Sequence, residues 1–399
     1  MIKHRNQLSG ATDALRQIFE EGHLADLVVK NLFKANKKWG SRDRGAVAET
    51  IYEIVRWKRL LEYGLDREAL DDAGRNLLVA ARETLAGESL PEWEEYAEFD
   101  AGTFLARVEE GRKIRAVRES IPDWLDELGA SELGERWEET IAALNRPADV
   151  VLRANRLKTD RDGLREALAK ENVETRAIEF APDAVVLEKR QNVFRTRAFR
   201  EGLFEAQDAA SQLVAPFAAP EPKQRVIDAC AGAGGKTLHL AALMNNTGRI
   251  VALDVEEWKL KELKRRAKRA GVSNAETKPA TTTKTAKRLR KSGDRVLIDS
   301  PCSGLGALRR NPDAKWKLTP AKIDNLRALQ EELLNRYANM TRVGGFLTYA
   351  TCSVLPSENE RRFAAFLESR DDFELAEERT VSPVEGYDGF YMGKARRVS

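Results

Sequence analysis

From residue 225 onward, short apolar runs alternate with helical stretches, and no other feature of the chain limits its possible folds as much. RVIDAC (225–230), RIVALDV (249–255), RVLIDS (295–300) and GGFLTYATCS (344–353) read as buried strands. A glycine turn and the helix KTLHLAALM separate the first two, and a basic helical stretch follows the second. Strands joined through helices cannot pair as hairpins; they lie parallel, with helices covering both faces of the sheet. The expected fold class is α/β, with a doubly wound, Rossmann-like sheet whose ligand crevice lies at the carboxyl ends of the strands.

The chain before this point has a different texture. Residues 1–145 are mainly helical, and AVAETIYEIVRWKRLLEYGL (46–65) spaces Ala46, Ile51, Ile54, Val55, Leu60 and Leu61 as an amphipathic helix requires. Similar segments follow near 75–86, 100–118, 122–130 and 132–144. Asp43 or Ser41 is suited to cap the 46–65 helix, and Pro122 to an early helical turn. Between 146 and 220, a strand at Val150–Asn155, a helix RDGLREALAKEN and a strand AVVLEK (184–189) suggest a small α+β unit. Pro216, Pro220 and Pro222 then read as a loop. The expected domains are 1–145, all-α; 146–220, an α+β connector; and 221–399, the α/β sheet.

Several chemistries are disfavoured early. Cys230, Cys302 and Cys352 are odd in number and far apart, which argues against a disulfide framework. His4, His23 and His239 are equally scattered, so neither a zinc site nor a Ser–His–Asp triad is expected. No apolar run approaches the length of a membrane helix, and MIKHRNQLSG lacks the apolar stretch of a secretory signal. A cytoplasmic location is the expectation. Net charge is only +3, but residues 258–291 are strongly basic whereas 82–139 are rich in acids. The basic stretch fits either a solvated helix face or a footprint for a polyanion such as RNA.

The run Asp228-Ala229-Cys230-Ala231-Gly232-Ala233-Gly234-Gly235-Lys236-Thr237 leaves a strand and opens a helix. A phosphate-binding P-loop would need a glycine at position 230, which is Cys. A nucleoside pocket fits better, because Asp254 ends the next strand and a carboxylate there can accept from both ribose hydroxyls. That pattern alone does not separate NAD from S-adenosylmethionine. Two further strand ends read IDSPCSGLGALRRNPDAKW (298–316) and YATCSVLPSENE (349–360). A lone cysteine is usually a small buried hydrophobe, but Cys302 and Cys352 have polar and glycine neighbours. With Asp299, both are candidates to converge beside the glycine loop.

These segments together resemble the RNA 5-methylcytosine methyltransferases of the RsmB/NOP/NSUN family. DACAGAGGKT is similar to the family's cofactor loop, IDSPCSG-G-LRRNPD to its first cysteine motif and TCS-ENE to its second. LRANRLKT (152–159), LFEAQDAASQLV (203–214) and DGFYMGKARR (388–397) resemble three further family segments, so the likeness spans 146–399. Upstream, SRDRGAVAETIYEIVRW and IPDWL resemble the NusB-like RNA-binding domain of the bacterial 16S ribosomal RNA members. Two departures stand out. Gly232-Ala233 replaces the family's usual Ala-Pro, and KPATTTK (278–284) has no acid where the family places one near adenine.

The resemblance implies S-adenosylmethionine as cofactor and transfer of its methyl group to carbon 5 of cytosine. Carbon 5 is a poor nucleophile until a thiolate adds at carbon 6, which splits one difficult step into easier ones. A free thiol has a pKa of about 8.5, so such a site must favour the anion. By resemblance, Cys352 is the nucleophile, Cys302 assists enzyme release, Asp299 contacts the base at N3/N4 and Lys236 orients the target and counters charge. Asp254 would hold the ribose. Asp228, Cys230, Ala231, Gly232, Ala233, Gly234, Gly235, Lys236 and Asp299 would border the cofactor.

The expected partner is RNA, by resemblance 16S ribosomal RNA or a small-subunit assembly intermediate, bound by a monomer. The target base must leave any stack to enter such a pocket. The helix 258–269, with Lys264, Arg265 and Lys268, and the NusB-like domain are candidates to hold the surrounding RNA. Trp316 could stack on a base or belong to the core. Alternatives are the same chemistry on transfer RNA or another RNA, and a non-catalytic RNA-binding ribosome-assembly factor. DNA cytosine methylation fits less well, since those enzymes lack the TCS motif.

Overall fold

The computed structural model describes residues 1–68, 71–281 and 283–399. It resolves into two compact units, the first made of Met1–Arg146 and Leu308–Pro320, the second of Pro147–Ala307 and Ala321–Ser399.

The first unit is helical. Its longest helix, Ser41–Leu65, buries Val47, Ile51, Ile54, Val55, Leu60 and Leu61, whereas Ala46 is only half-buried. Asp43 caps it by accepting the Gly40 amide at 3.0 Å, and Ser41 is its first helical residue. The remaining segments form helices at Asp72–Leu85, Ala101–Gly111, Arg115–Arg118, Asp123–Leu133 and Arg136–Leu144. Pro122 stands just outside its helix at the N-cap.

The segment 308–320, which the sequence reading placed with the catalytic sheet, is part of this helical unit. Trp316 packs against the helical core and its indole N–H donates to the Val55 carbonyl at 2.7 Å. Lys315 is buried and donates to the Arg56 carbonyl at 2.8 Å and to Asn145 Oδ1 at 3.2 Å. Burial holds its ammonium well below the usual lysine range. Asp313 accepts the Ala25 amide at 3.2 Å, the first residue of the helix Ala25–Ala35. Of the two readings of Trp316, the core one is the one observed.

The second unit holds two sheets. The smaller has strands β1 (Val151–Ala154), β2 (Thr175–Ala177), β3 (Ala184–Leu187) and β4 (Phe204–Ala206), in the order β2-β3-β1-β4 and antiparallel throughout. The larger has β5 (Arg225–Asp228), β6 (Arg249–Asp254), β7 (Ala275–Pro279), β8 (Gly293–Asp299), β9 (Thr341–Thr351), β10 (Phe373–Val381) and β11 (Phe390–Arg397). Its order is β10-β11-β9-β8-β5-β6-β7. The pairs β5–β6, β6–β7, β5–β8 and β8–β9 are parallel, while β11 runs antiparallel to both β9 and β10. The expected parallel sheet is thus mixed at one side.

The connection order reverses between β5 and β8, so Asp228 and Asp299 flank the switch point where such sheets bind ligands. The helix Ala209–Ala218 joins the two sheets: Leu213, Val214, Ala215 and Phe217 share one core with Val151 and Val186 on one side and Val226, Ile250 and Leu297 on the other. Pro216 lies inside this helix, not in a loop. It forfeits one helical hydrogen bond, a loss offset by burial of that apolar face. The turn comes at Ala219, with φ of 48°.

Candidate active site

Four strand ends carry the chemistry: Asp228 on β5, Asp254 on β6, Asp299 on β8 and Thr351, followed by Cys352, on β9. The loop after β5 keeps the pairing pattern of the sheet, with the Ala229 amide donating to the Leu297 carbonyl and the Ala231 amide to the Leu253 carbonyl, both at 2.8 Å. Gly234 then turns at φ of 91°, where a Cβ would lie 2.5 Å from Leu263 Cγ, so only glycine fits. The helix Gly235–Leu243 starts there.

Asp254 is buried and receives two amides, from Gly232 on one oxygen and from Glu256 on the other, each at 2.8 Å. This ties the glycine loop to the end of β6. A Cβ at Gly232 would meet nothing within 4 Å, which leaves open space beside that carboxylate. The Ala280 amide donates to the Asp254 carbonyl at 2.9 Å, which brings the end of β7 alongside. No Asp or Glu lies between Glu276 and Asp294, and Thr282 falls outside the described residues. Just after Asp254 the chain exposes Val255 and Trp258, at 59% and 63% accessible, with the acids Glu256 and Glu257 exposed between them.

Two arginines from outside the loop hold it. Buried Arg153, in the LRANRLKT segment, donates to the Gly235 carbonyl at 2.7 Å and to Gln207 Oε1. Burial lowers its guanidinium to about 10. Arg266, on the helix Glu257–Ala270, donates to the Ala233 carbonyl at 2.8 Å and to Glu205. The basic helix is therefore divided: Arg266 and Arg269 turn inward to Glu205, while Lys261, Lys264, Arg265 and Lys268 stay exposed.

Asp228 is fully buried. One carboxylate oxygen accepts the Thr237 hydroxyl at 2.6 Å; the other has no partner among the described residues. Burial raises its pKa to about 7. Because the folded value lies above the unfolded one, the stability contributed by the neutral carboxyl is complete below about pH 4 and disappears as pH climbs to 7. The expected span is roughly 4 kcal/mol, from about 1.4 kcal/mol per unit. Asp228→Asn should flatten that part of the profile and unfold later in denaturant at pH 8. Parallel wild-type and variant profiles from pH 4 to 8 would remove the assignment.

The Lys236 ammonium meets Asp299 Oδ2 at 2.6 Å and sits 5.1 Å from the centre of the Phe390 ring. The sulfurs of Cys302 and Cys352 lie 3.5 Å apart, both half-buried. Contact with Cys352, then burial, pushes the Cys302 thiol well up. Cys230 lies apart from this pair, on the glycine loop, its thiol raised mainly by burial. Asp299 with Lys236, and Cys302 with Cys352, are thus brought into direct contact as pairs.

Three further side chains escaped the sequence reading. Phe390, Thr237 and Glu358 contact Lys236, Asp228 and the residues following the cysteines, respectively. All three lie inside segments quoted from the sequence, DACAGAGGKT, DGFYMGKARR and TCS-ENE, but nothing in those segments marked the individual side chains. Among the described residues no cluster of His, Cys, Asp or Glu could hold a metal ion.

The arrangement sets open space at Gly232 beside the Asp254 carboxylate, a pair of thiols and an ammonium–carboxylate pair at the ends of neighbouring strands. The chain is similar to proteins of known kind. A family model described as 16S rRNA methyltransferase RsmB/F matches residues 215–394, and one described as an RsmF/B-like ferredoxin-like domain matches 121–194. The ribosomal RNA small subunit methyltransferase B of Klebsiella pneumoniae is 30% identical over 99% of both chains. The probable ribosomal RNA small subunit methyltransferase B of Synechocystis is 38% identical over 66% of this chain, a stretch that spans 60% of that relative. A methyltransferase homolog protein from Pyrococcus horikoshii superposes with a TM-score of 0.64 at 27% identity, over 71% of this chain and 98% of that one.

Proposed function

The chain belongs to the RsmB/F family of S-adenosylmethionine-dependent RNA methyltransferases, and from that premise we propose that it methylates carbon 5 of a cytosine in 16S ribosomal RNA, with Cys352 as covalent nucleophile. The observation that carries this reading is the pair of thiols 3.5 Å apart beside the Lys236–Asp299 pair, at the ends of adjacent parallel strands.

The residues of the glycine loop fit the cofactor. The space at Gly232 beside the carboxylate of Asp254 offers room and a polar group together, and the buried Asp228 with its partnerless oxygen ends the neighbouring strand. Asp254 keeps lone pairs for ribose hydroxyls after taking its two amides. With no acid near 278–284, the adenine would rest on Val255 and Trp258. S-adenosylmethionine supplies an electrophilic methyl group on sulfur, and the protein's task is to make carbon 5 attack it.

In that task Cys352 Sγ bonds to carbon 6, which pushes electron density toward carbon 5. Asp299 faces the N3/N4 edge of the base, and Lys236 offsets the negative charge that develops on the ring. After methyl transfer Cys302, as its thiolate, takes the carbon 5 proton; the pair from that C–H bond re-forms the C5–C6 double bond as the sulfur–carbon 6 bond breaks and its electrons return to Cys352. The Phe390 ring beneath the Lys236 ammonium keeps water from one side of that cation.

Functionally we divide the chain into a NusB-like RNA-holding part (1–145, with 308–320), a connector (146–220) and the catalytic part (the remainder of 221–399), working as a monomer in the cytoplasm. No helix among the described residues is long and apolar enough to cross a membrane. The exposed Lys261, Lys264, Arg265 and Lys268 are assigned to RNA phosphates. The test is direct: purified protein, S-adenosylmethionine and unmethylated small-subunit RNA, free or in assembly particles, followed by bisulfite sequencing. One protected cytosine, absent when transfer RNA replaces ribosomal RNA, is the expected result. Methyl transfer confined to transfer RNA, or none to any RNA, would replace the proposal with one of its two alternatives.

A further inference from the structure

Each reacting thiol is followed by a serine, in Cys302-Ser303 and Cys352-Ser353, and both serines turn to one carboxylate. Glu358 is completely buried. Its Oε2 accepts the hydroxyls of Ser303 and of Ser353, and its Oε1 accepts the Ser303 amide at 2.8 Å and Gln330 Nε2 at 2.9 Å. The two serine hydroxyls lie 3.1 Å from each other. None of these bonds reaches a sulfur atom.

The residues around the carboxylate are themselves pinned. The Tyr349 hydroxyl donates to the Glu358 carbonyl at 2.7 Å, Asn359 Nδ2 donates to the Ser353 carbonyl at 3.0 Å, and the Thr351 hydroxyl donates to Asn359 Oδ1. On the other cysteine loop the Gly306 amide donates to the Cys352 carbonyl at 2.9 Å, and a Cβ at Gly306 would fall 2.1 Å from the Gly389 carbonyl oxygen. The two loops are therefore laced together at the backbone as well.

Removing a carboxylate from water costs several kcal/mol unless donors surround it, and an apolar side chain would fill the same volume at lower cost. What the carboxylate adds is direction: two oxygens that specify where four donors must stand. The chemistry needs that direction. Carbons 5 and 6 of cytosine are bonded neighbours, so the group attacking one and the group assisting proton loss at the other must converge on a single edge of the ring.

We infer that Glu358 is the positioning residue of this site, the carboxylate that draws the Cys302 and Cys352 loops into register and fixes the separation of their sulfurs. The inference rests on the assignment of Cys352 as nucleophile and Cys302 as release group.

Glu358→Gln keeps the volume and leaves one acceptor oxygen in place of two. Because an error of about 1 Å in placement can cost about a hundredfold, kcat for RNA methylation should fall by about that factor while KM for RNA stays unchanged. Affinity for S-adenosylhomocysteine, measured by calorimetry, should also hold. The second readout is independent of turnover: diamide oxidation of Cys302 and Cys352 to a disulfide, followed by intact mass, should slow by about tenfold as the sulfurs separate, a shift equivalent to about 1.4 kcal/mol.

If Glu358→Gln does not fold, Ser353→Ala, which deletes a single hydroxyl, must show the same split on a smaller scale. A folded variant with wild-type turnover and wild-type cross-linking overturns the inference. So does a variant that loses cofactor affinity along with turnover, since that marks a general structural role. Turnover by Cys352→Ala would instead overturn the cysteine assignment beneath it.

Discussion

Cys352→Ala should form no adduct with RNA and transfer no methyl group, whereas Cys302→Ala should methylate and then stay attached. The two sulfurs are 3.5 Å apart at the ends of neighbouring strands, so either could reach the same base edge and geometry does not rank them. Their chemistry separates them. Without Cys352 there is no thiolate to add at carbon 6, and methylation should drop below detection. Without Cys302 the methylated intermediate forms but loses its carbon 5 proton slowly. It should therefore persist as a protein–RNA band that survives denaturing electrophoresis and vanishes on RNase treatment. The reverse pair of gels, a trapped band with Cys352→Ala and none with Cys302→Ala, would exchange the two roles.

Replacing Lys236 with methionine should slow single-turnover methylation by about a hundred- to a thousandfold, the usual cost of deleting one group aimed at developing charge. The ammonium is mostly buried, paired with Asp299 at 2.6 Å and set over Phe390, so it has little water to compete with and its field acts at close range. Methionine retains most of the unbranched stem and loses the charge together with the hydrogen bond to Asp299. Trapping in a Lys236→Met, Cys302→Ala double variant should be correspondingly slow, because the ring cannot accept the thiolate's electrons. If saturating cofactor restores the wild-type rate, Lys236 belongs to cofactor binding alone and its catalytic assignment fails.

The parts of this molecule that were readable before folding are those where side-chain pattern and backbone state share one cause. The middles of β5, β6 and β8 and the second half of β9 are buried on both faces, so VI, IVAL, VLI and LTYA form apolar runs that announce themselves. β7 is an edge strand whose residues are only half-buried or exposed, and AETKP carries no such run. Pro216 misled because local propensity argues for a break, while the shared core of the two sheets holds the helix through it. The candidate site was legible where glycines and cysteines stand at strand ends. Glu358 was not, since a glutamate in a polar stretch is normally at the surface, and its burial makes sense only once Ser303, Ser353 and Gln330 have been brought to it from three parts of the chain.

The excursion of residues 308–320 into the helical unit bears on the order in which this protein can be made. Trp316 and Lys315 complete a core that is otherwise built from the first 146 residues. A ribosome delivers the chain from its amino end, and domains commonly finish folding as they emerge. Here the amino-terminal unit must wait for the donors that Lys315 and Trp316 bring to the Val55 and Arg56 carbonyls and to Asn145 Oδ1, until residue 320 has left the exit tunnel. The first part of the protein to be synthesised cannot be the first to be finished, and a nascent chain arrested before position 308 should be more open to protease than the same residues in the released protein.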